Sequence, residues 1–400
     1  MCSSDLVGLA QYCTAVATAD AKMGYLNEAL IGIPGGRVRL QTPALVIDLD
    51  AFERNIAKMV AHAKNVGVGL RPHAKTHKSA EIARRQIAAG ANGICCAKLG
   101  EAEALAGAGI DSILLTSPVV SDAGVARVIA LNGRMRELIL VCDNGDVAER
   151  IDAAAKASGK RLKVLVDIDP GMSRTGIRTS DAPALVAQVL EAHGLEFAGL
   201  QCYAGQAQHM ESPNERRDAS LQVMKELGAL RDRLAKSGQA PKIVSGGGTG
   251  TFDIDPDAHV LTELQVGSYI FMDKQYNDVW QKPGDRVPFE VSLFVQTTVI
   301  SANRPGLATT DAGFKSFATD AGPPLLASGA PGGATYFFFG DEQGGIVYPR
   351  DGDAKFRPGD VVRCIVPHCD PTVNLYDVYH CVRGDTLEAI WPIEARGKSA

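Results

Sequence analysis

The sequence predicts a closed (β/α)8 barrel followed by a second, mostly antiparallel β domain. Two patterns carry this reading. From residue 44 to about 273, short β-branched runs alternate with amphipathic, alanine-rich stretches; beyond residue 286, strand-like runs follow one another without helices between them. Alternation of strand and helix at this spacing requires a mostly parallel sheet, and so many units favour closure into a barrel. A chain of 400 residues is long enough for two such domains.

The strand candidates of the first part are residues 44–50, 69–75, 93–99, 112–119, 137–144, 162–169, 197–204, 242–246 and 263–272. Helical patterns lie between them, as at 51–60 and 214–237. Nine candidates are one too many for eight strands, and 44–50 is the one that can pair with the β domain instead. The later candidates are 289–301, 335–340, 361–366, 378–382 and 387–391, while the glycine- and proline-rich stretch 322–333 reads as a loop. The expected division is an N-terminal segment 1–41, a barrel 42–285 and a β domain 286–400. Patterned sequence begins just after Met23, so residues 1–22 read as a disordered tail or an upstream extension of the reading frame.

Composition excludes several classes. With 46% hydrophobic and 22% charged residues the chain is an ordinary globular one. A net charge of -5, with dispersed lysines and arginines, leaves no footprint for nucleic acid. No apolar stretch is long enough to span a bilayer, and the acidic Met1-Cys-Ser-Ser-Asp5 start lacks the basic region of a secretory signal. Nine cysteines without a C-x-x-C pair point to buried reduced thiols and a cytoplasmic protein.

Three segments carry chemistry. The first is Gly69-Leu-Arg-Pro-His-Ala-Lys-Thr-His-Lys78, in which Lys75 ends a predicted strand with Arg71, His73, His77 and Lys78 around it. Neighbouring cations and burial lower a lysine pKa, and a neutral amine attacks an aldehyde to form a Schiff base. The second is Gly246-Gly-Gly-Thr-Gly-Thr251, whose backbone N–H groups suit an anion, with Gly267 and Ser268 completing a cradle. The third is Pro367-His-Cys-Asp-Pro-Thr-Val-Asn-Leu-Tyr376. In an extended segment His368 and Asp370 point the same way, and imidazole plus carboxylate suits Mn²⁺ or Mg²⁺ at least as well as Zn²⁺. Arg174, Tyr203 and His209 follow other barrel strands, at the end where active sites of this fold lie. Singly, each has a plain structural reading: a solvated basic loop, a flexible turn, a hydrogen-bonded His–Asp turn, a loop salt bridge, a core tyrosine, a helix cap. Together they read as pyridoxal phosphate (PLP) chemistry with a metal.

On these residues, and on Thr42-Pro-Ala-Leu-Val-Ile-Asp-Leu-Asp50 and Thr262-Glu-Leu-Gln-Val-Gly-Ser-Tyr269, the chain resembles the D-threonine aldolase, 3-hydroxy-D-aspartate aldolase and D-serine dehydratase family. These are fold-type III PLP enzymes with an alanine racemase-like barrel. The resemblance runs from about Thr42 to the C-terminus. It implies Lys75, not Lys78, as the Schiff-base lysine, Arg174 near the PLP phenolate oxygen and Tyr203 beside the ring. It implies phosphate contacts at Gly248, Thr249, Gly267 and Ser268, with Gln265 where alanine racemase places an arginine opposite the pyridine nitrogen. His209 matches a histidine considered as a general base. The resemblance also assigns the first strand candidate to the β domain and implies a homodimer.

The expected activity is retro-aldol cleavage of a D-3-hydroxy amino acid with PLP and a divalent metal. The products are glycine and glyoxylate from 3-hydroxy-D-aspartate, or glycine and acetaldehyde from D-threonine. The H-x-D pair matches the aldolase type, whereas the eukaryotic D-serine dehydratases resemble H-x-C with zinc. A dehydratase on the same scaffold is the nearest rival, followed by an amino-acid racemase and a non-catalytic PLP carrier. Arg304, Lys274 and Lys315 are candidates to bind a distal substrate carboxylate.

Overall fold

A computed structural model of the protein describes residues 24–280, 288–350 and 355–400. The stretch 1–22 and the expected boundary at 285 lie outside the described residues. The first strand, β1 (Ala44–Asp48), leads through the Asp48 side chain, which accepts from Ala51 N at 3.1 Å, into helix α1 (Leu49–Val66). Such a cap is worth about 1 kcal/mol. Gly67, at φ 71°, ends the helix in the left-handed conformation that glycine adopts without penalty.

The barrel strands follow: β2 (Gly69–Leu70), β3 (Ile94–Cys96), β4 (Ser112–Leu115), β5 (Glu137–Cys142), β6 (Leu162–Asp167), β7 (Leu195–Cys202), β8 (Ile243–Gly246) and β9 (Glu263–Leu264). All pairings in this sheet are parallel, in the order β2-β9-β8-β7-β6-β5-β4-β3. A bridge between His73 and Cys95 joins the two ends of that order and closes the ring, with Ala74 N donating to Cys95 O at 2.8 Å. Alternation along the strands splits the side chains between two cores. Leu114, Ile139, Val141 and Leu165 pack inside the barrel, while Ile113, Leu115, Leu138 and Leu140 pack outward under the helices. Those helices are α2 (Ala80–Ala88), α3 (Leu99–Gly107), α4 (Asp122–Arg134), α5 (Gly145–Ser158), α6 (Ala182–Glu191) and α7 (Pro213–Lys236), followed after β9 by the short α8 (Lys274–Val279).

The second sheet has nine strands. It joins β1 to β10 (Leu293–Arg304), β11 (Leu307–Thr310), β12 (Leu325–Ser328), β13 (Thr335–Phe338), β14 (Gly344–Val347), β15 (Val361–Ile365), β16 (Val378–Arg383) and β17 (Thr386–Pro392). β1 runs antiparallel to β10 and parallel to β16, so the surplus strand candidate, 44–50, belongs to this sheet. Between β15 and β16 lies helix α9 (Cys369–Val373).

Several expectations require correction. β11 and β14 had no strand signal, and β12 lies inside the stretch 322–333 read as a loop. β12 is a mostly exposed strand held by pairing to β15, so no burial pattern marks it. β14 begins with two glycines, which sequence propensity counts against a strand. They are required there, because a Cβ on Gly344 would lie 1.9 Å from the Tyr336 hydroxyl and one on Gly345 2.3 Å from the Phe337 ring. In the barrel, candidates 69–75 and 263–272 shrink to β2 and β9. Their C-terminal parts peel away as loops, and the site is built from those loops.

Candidate active site

Lys75 does not end a strand; β2 stops at Leu70, and the lysine sits in the turn that follows. That turn is held by His73 N on Val266 O at 2.9 Å and by Lys78 N on Ala74 O at 2.7 Å. Lys75 opens onto a cavity of about 220 Å³ that is also lined by His73, Arg174, Gln201, Tyr203 and Gln265. Lys78 points elsewhere: it is buried in an ion pair with Glu101, whose other oxygen accepts from Ala97 N and Lys98 N at the start of α3. Of the two lysines, only Lys75 lines the cavity.

The loop after β6 presents Arg174. Asp169 Oδ1 accepts from Gly171 N, Met172 N and Ser173 N at 2.9–3.1 Å, and Gly176, at φ 100°, brings the chain back against Asp169 where a Cβ would sit 2.4 Å from its nitrogen. Arg174 is exposed, with its guanidinium 5.4 Å from the centroid of the Tyr203 ring. Burial pushes the Tyr203 phenol above its ordinary pKa, which keeps it protonated. Burial, and then the Lys75 charge, push His73 well below its ordinary pKa. Its neutral ring takes Lys75 N on Nδ1 at 3.3 Å, so Nε2 carries the proton and donates to Thr116 Oγ1 at 3.1 Å.

The glycine run does not line the cavity. Its backbone is pinned by Gln208, whose Oε1 accepts from Gly250 N at 2.9 Å and whose Nε2 donates to Thr251 Oγ1 at 3.0 Å. Cβ atoms on Gly248 and Gly250 would lie 2.4 Å and 2.1 Å from Gln208 atoms, so close packing already demands glycine there. Tyr269 N donates to Thr249 Oγ1 at 3.1 Å and joins the run to Gly267 and Ser268, in the turn after β9. A Cβ on Gly267 would lie 2.6 Å from Thr76 Oγ1, so this second turn packs directly against the lysine turn. Among the described residues, the backbone N–H groups of Gly248, Thr249, Gly267 and Ser268 donate to no protein acceptor. Buried, adjacent and unpaired, these donors fit a phosphate.

His368 and Asp370 are not in an extended segment. His368 is the residue just before α9, without a side-chain capping bond, and Asp370 is in the helix's first turn. They reach the barrel mouth because Asp273 ties both parts together: its Oδ1 caps α8 through Tyr276 N at 2.8 Å and its Oδ2 accepts from Cys369 N at 2.8 Å. Asp370 accepts from Lys75 Nζ. Burial alone would lower the lysine pKa, but this carboxylate outweighs it and raises the pKa, holding the ammonium form. The lysine in turn keeps Asp370 below its ordinary value despite burial. His368 Nδ1 contacts Asp320 Oδ2 at 2.6 Å, and Nε2 has no hydrogen-bond partner among the described residues. Among the described residues no three His, Cys, Asp or Glu side chains converge on a metal position. The two-residue O/N donor set fits a hard divalent cation that keeps open positions.

His209 is exposed and packs on Tyr276, with ring centroids 4.6 Å apart. Burial of one side, then the facing His368 and Lys75 charges, lower its pKa, so it is neutral at pH 7. The three candidates for a distal carboxylate are placed elsewhere. Lys274 pairs with Asp278, Lys315 with Glu342, and Arg304 lines a separate cavity with Arg350. Gln201, Thr116 and Asp320 are site residues that sequence reasoning missed. Gln201 is the second-last residue of β7, and that strand-end position was the available signal; Asp320, in an exposed loop, offered none.

Residues 47–275 match the family described as alanine racemase, N-terminal domain, and residues 292–382 match the putative serine dehydratase domain. The chain belongs to the family of D-threonine aldolases, 3-hydroxy-D-aspartate aldolases and D-serine dehydratases. It is 38% identical to a 3-hydroxy-D-aspartate aldolase of Paracoccus denitrificans (strain Pd 1222), over 94% of this chain and 97% of the relative. It is 41% identical to a D-threonine aldolase of an Arthrobacter species, over 90% and 94%. The crystal structure of a D-threonine aldolase from Filomicrobium marinum superposes with a TM-score of 0.85 at 38% identity, covering 90% of this chain and 97% of that one. A D-threo-3-hydroxyaspartate dehydratase of a Delftia species is more distant, at 32% identity over 88% of this chain and 97% of the relative. Among the described residues no helix is long and apolar enough to cross a membrane.

Proposed function

We propose that the protein is an aldolase that cleaves D-3-hydroxy amino acids to glycine and an aldehyde, with PLP and a divalent metal ion. The observation that carries this is the convergence of Lys75 and Asp370: the lysine of the barrel cavity touches the carboxylate of the H-x-D segment. PLP, when bound, supplies an electron sink for the pair left at Cα as the Cα–Cβ bond breaks. A divalent ion supplies positive charge at the oxygen that must lose its proton.

The residues divide the remaining work. Lys75 is the attachment point at the cavity mouth, and the free N–H groups of Gly248, Thr249, Gly267 and Ser268 hold the phosphate. Arg174, Tyr203 and Gln265 line the cavity, where the first two would flank the ring of bound PLP and Gln265 would face its nitrogen. His368 and Asp370 hold the metal, with Asp320 fixing the His368 ring as a carboxylate commonly does for a metal-ligating histidine. His209, neutral at pH 7, takes the β-hydroxyl proton. The reading extends to a homodimer, taken from the resemblance. It extends also to a cytoplasmic location, in keeping with seven described cysteines that are all free and buried.

Product analysis tests it. Incubation with D-threonine and with D-3-hydroxyaspartate, with and without chelator, should yield glycine plus acetaldehyde or glyoxylate in a metal-dependent manner. Ammonia and a keto acid in place of glycine would make the enzyme a dehydratase.

A further inference from the structure

The polar chain across the floor of the cavity has a direction, and it can be worked out from its fixed end. Thr116 O is an acceptor only. Asp167 accepts on Oδ2 from Thr175 Oγ1 at 2.9 Å and on Oδ1 from Gln201 Nε2 at 3.0 Å, and Thr116 O lies 3.3 Å from the same nitrogen. With two acceptors on that side, the Gln201 amide must present its NH₂ there and its carbonyl Oε1 on the other. Gln201 Oε1 lies 3.0 Å from the Gln265 amide, so Gln265 must answer with a donor, Nε2. The second Gln265 proton goes to Ser245 Oγ at 3.0 Å, and Ser245 donates its own proton to Glu263 Oε1 at 2.9 Å. Glu263 is held in turn by Arg71 at 2.8 Å.

Both protons of Gln265 are therefore used, and its Oε1 has no partner among the described residues on a side chain that lines the cavity. Turning the amide over would set two carbonyl oxygens against each other in a buried site. An unsatisfied buried group of this kind costs about 1–3 kcal/mol. Seven side chains from five barrel strands and the loops that follow them, with the backbone carbonyl of Thr116, thus agree on one orientation.

We propose that Gln201, backed by Asp167 and Thr116, is a positioning residue that locks the Gln265 amide with its carbonyl oxygen toward the cavity, so that this wall accepts a hydrogen bond and selects a protonated ring nitrogen. The proposal rests on the reading that the cavity holds PLP with its ring nitrogen against Gln265. A protonated ring withdraws electrons more strongly than a neutral one, which suits cleavage of a carbon–carbon bond. An arginine at this place could only donate, and would hold the nitrogen unprotonated.

The test is the ¹⁵N chemical shift of the ring nitrogen in enzyme loaded with ¹⁵N-labelled PLP. The wild type should give the shift of a protonated pyridinium. Gln265→Arg should move it to the neutral-pyridine range, and Gln201→Leu, which frees the Gln265 amide to turn, should move it in the same direction. Asp167→Asn, which keeps an acceptor for Gln201, should preserve the wild-type shift. A neutral shift in the wild type overturns the proposal, even if Gln201→Leu fails to fold. A protonated shift unchanged in a folded, loaded Gln201→Leu variant removes the positioning role. A wild-type chain that gains no visible absorbance with PLP fails at the cofactor reading itself, a result distinct from either of these.

Discussion

The Lys75 ammonium group donates to the Asp370 carboxylate, joining the turn after the first barrel strand to a short helix 295 residues further along the chain. Neither partner's neighbours in sequence require this contact. It exists because β1 enters the second sheet and Asp273 anchors α9 to the end of the barrel. Through it the cofactor side and the metal side of the proposed site become one electrostatic unit.

The two lysines of the first motif should separate cleanly. Lys75→Ala should abolish the visible absorbance of PLP-loaded protein, while Lys78→Ala should retain it. Lys78→Ala should instead cost stability, because it strands the buried Glu101 carboxylate, a loss of roughly 3–5 kcal/mol. Absorbance spectra and denaturant midpoints measured together decide the assignment; loss of the chromophore in the Lys78 variant alone would reverse it.

Removing the metal should stop turnover without releasing PLP, and Mn²⁺ or Mg²⁺ should restore it. Asp370→Ala should mimic the chelated enzyme. Asp320→Ala should weaken Mn²⁺ binding about 10–100-fold, the usual cost of losing the carboxylate behind a ligating histidine, while Lys75 still takes up PLP. Paramagnetic resonance of free Mn²⁺ reads that affinity directly. Full activity after exhaustive chelation would dismiss the H-x-D segment as a metal site.

His209→Ala should lower kcat about 10²–10⁴-fold if its imidazole takes the β-hydroxyl proton. The spectrum of the PLP-loaded protein and Mn²⁺ affinity should stay as in the wild type. A near-normal kcat would return His209 to the status of an exposed ring packed on Tyr276.

Asp167 predicts a pH signature in stability. Burial pushes its carboxyl up to about 6, against the hydrogen bonds from Gln201 and Thr175. A group whose folded pKa is raised binds its proton more tightly when folded. The cost of ionising it thus appears as pH rises from about 4 to about 6 and stays constant above. A rise from about 4 to about 6 corresponds to roughly 3 kcal/mol. Asp167→Asn should lack this decline, so the difference between the two stability curves should grow over that window. Asp255, pushed up to about 6 by burial, titrates in both proteins and cancels in the difference. A flat difference curve would show that the carboxyl titrates alike in the folded and unfolded chain.

Much of the molecule was legible in the order of its residues. The alternation of strand and helix, the change of texture near residue 286 and the three chemical motifs depend on local patterns, which a linear reading can detect. Lys75, Arg174 and Tyr203, read from their places after barrel strands, line one cavity, as does Gln265, which the resemblance supplied; His209 does not. What depended on distant partners was not legible. β12 and β14 are strands because of what they pair with, and the His368–Asp370 segment is a helical turn where alternation suggested an extended one. Local propensity cannot report a hydrogen bond to Asp273 or a ring lying over Gly345. The direction of the Asp167–Gln201–Gln265 chain is likewise a tertiary property: an amide can face either way until the acceptors around it, gathered from separate strands, allow one.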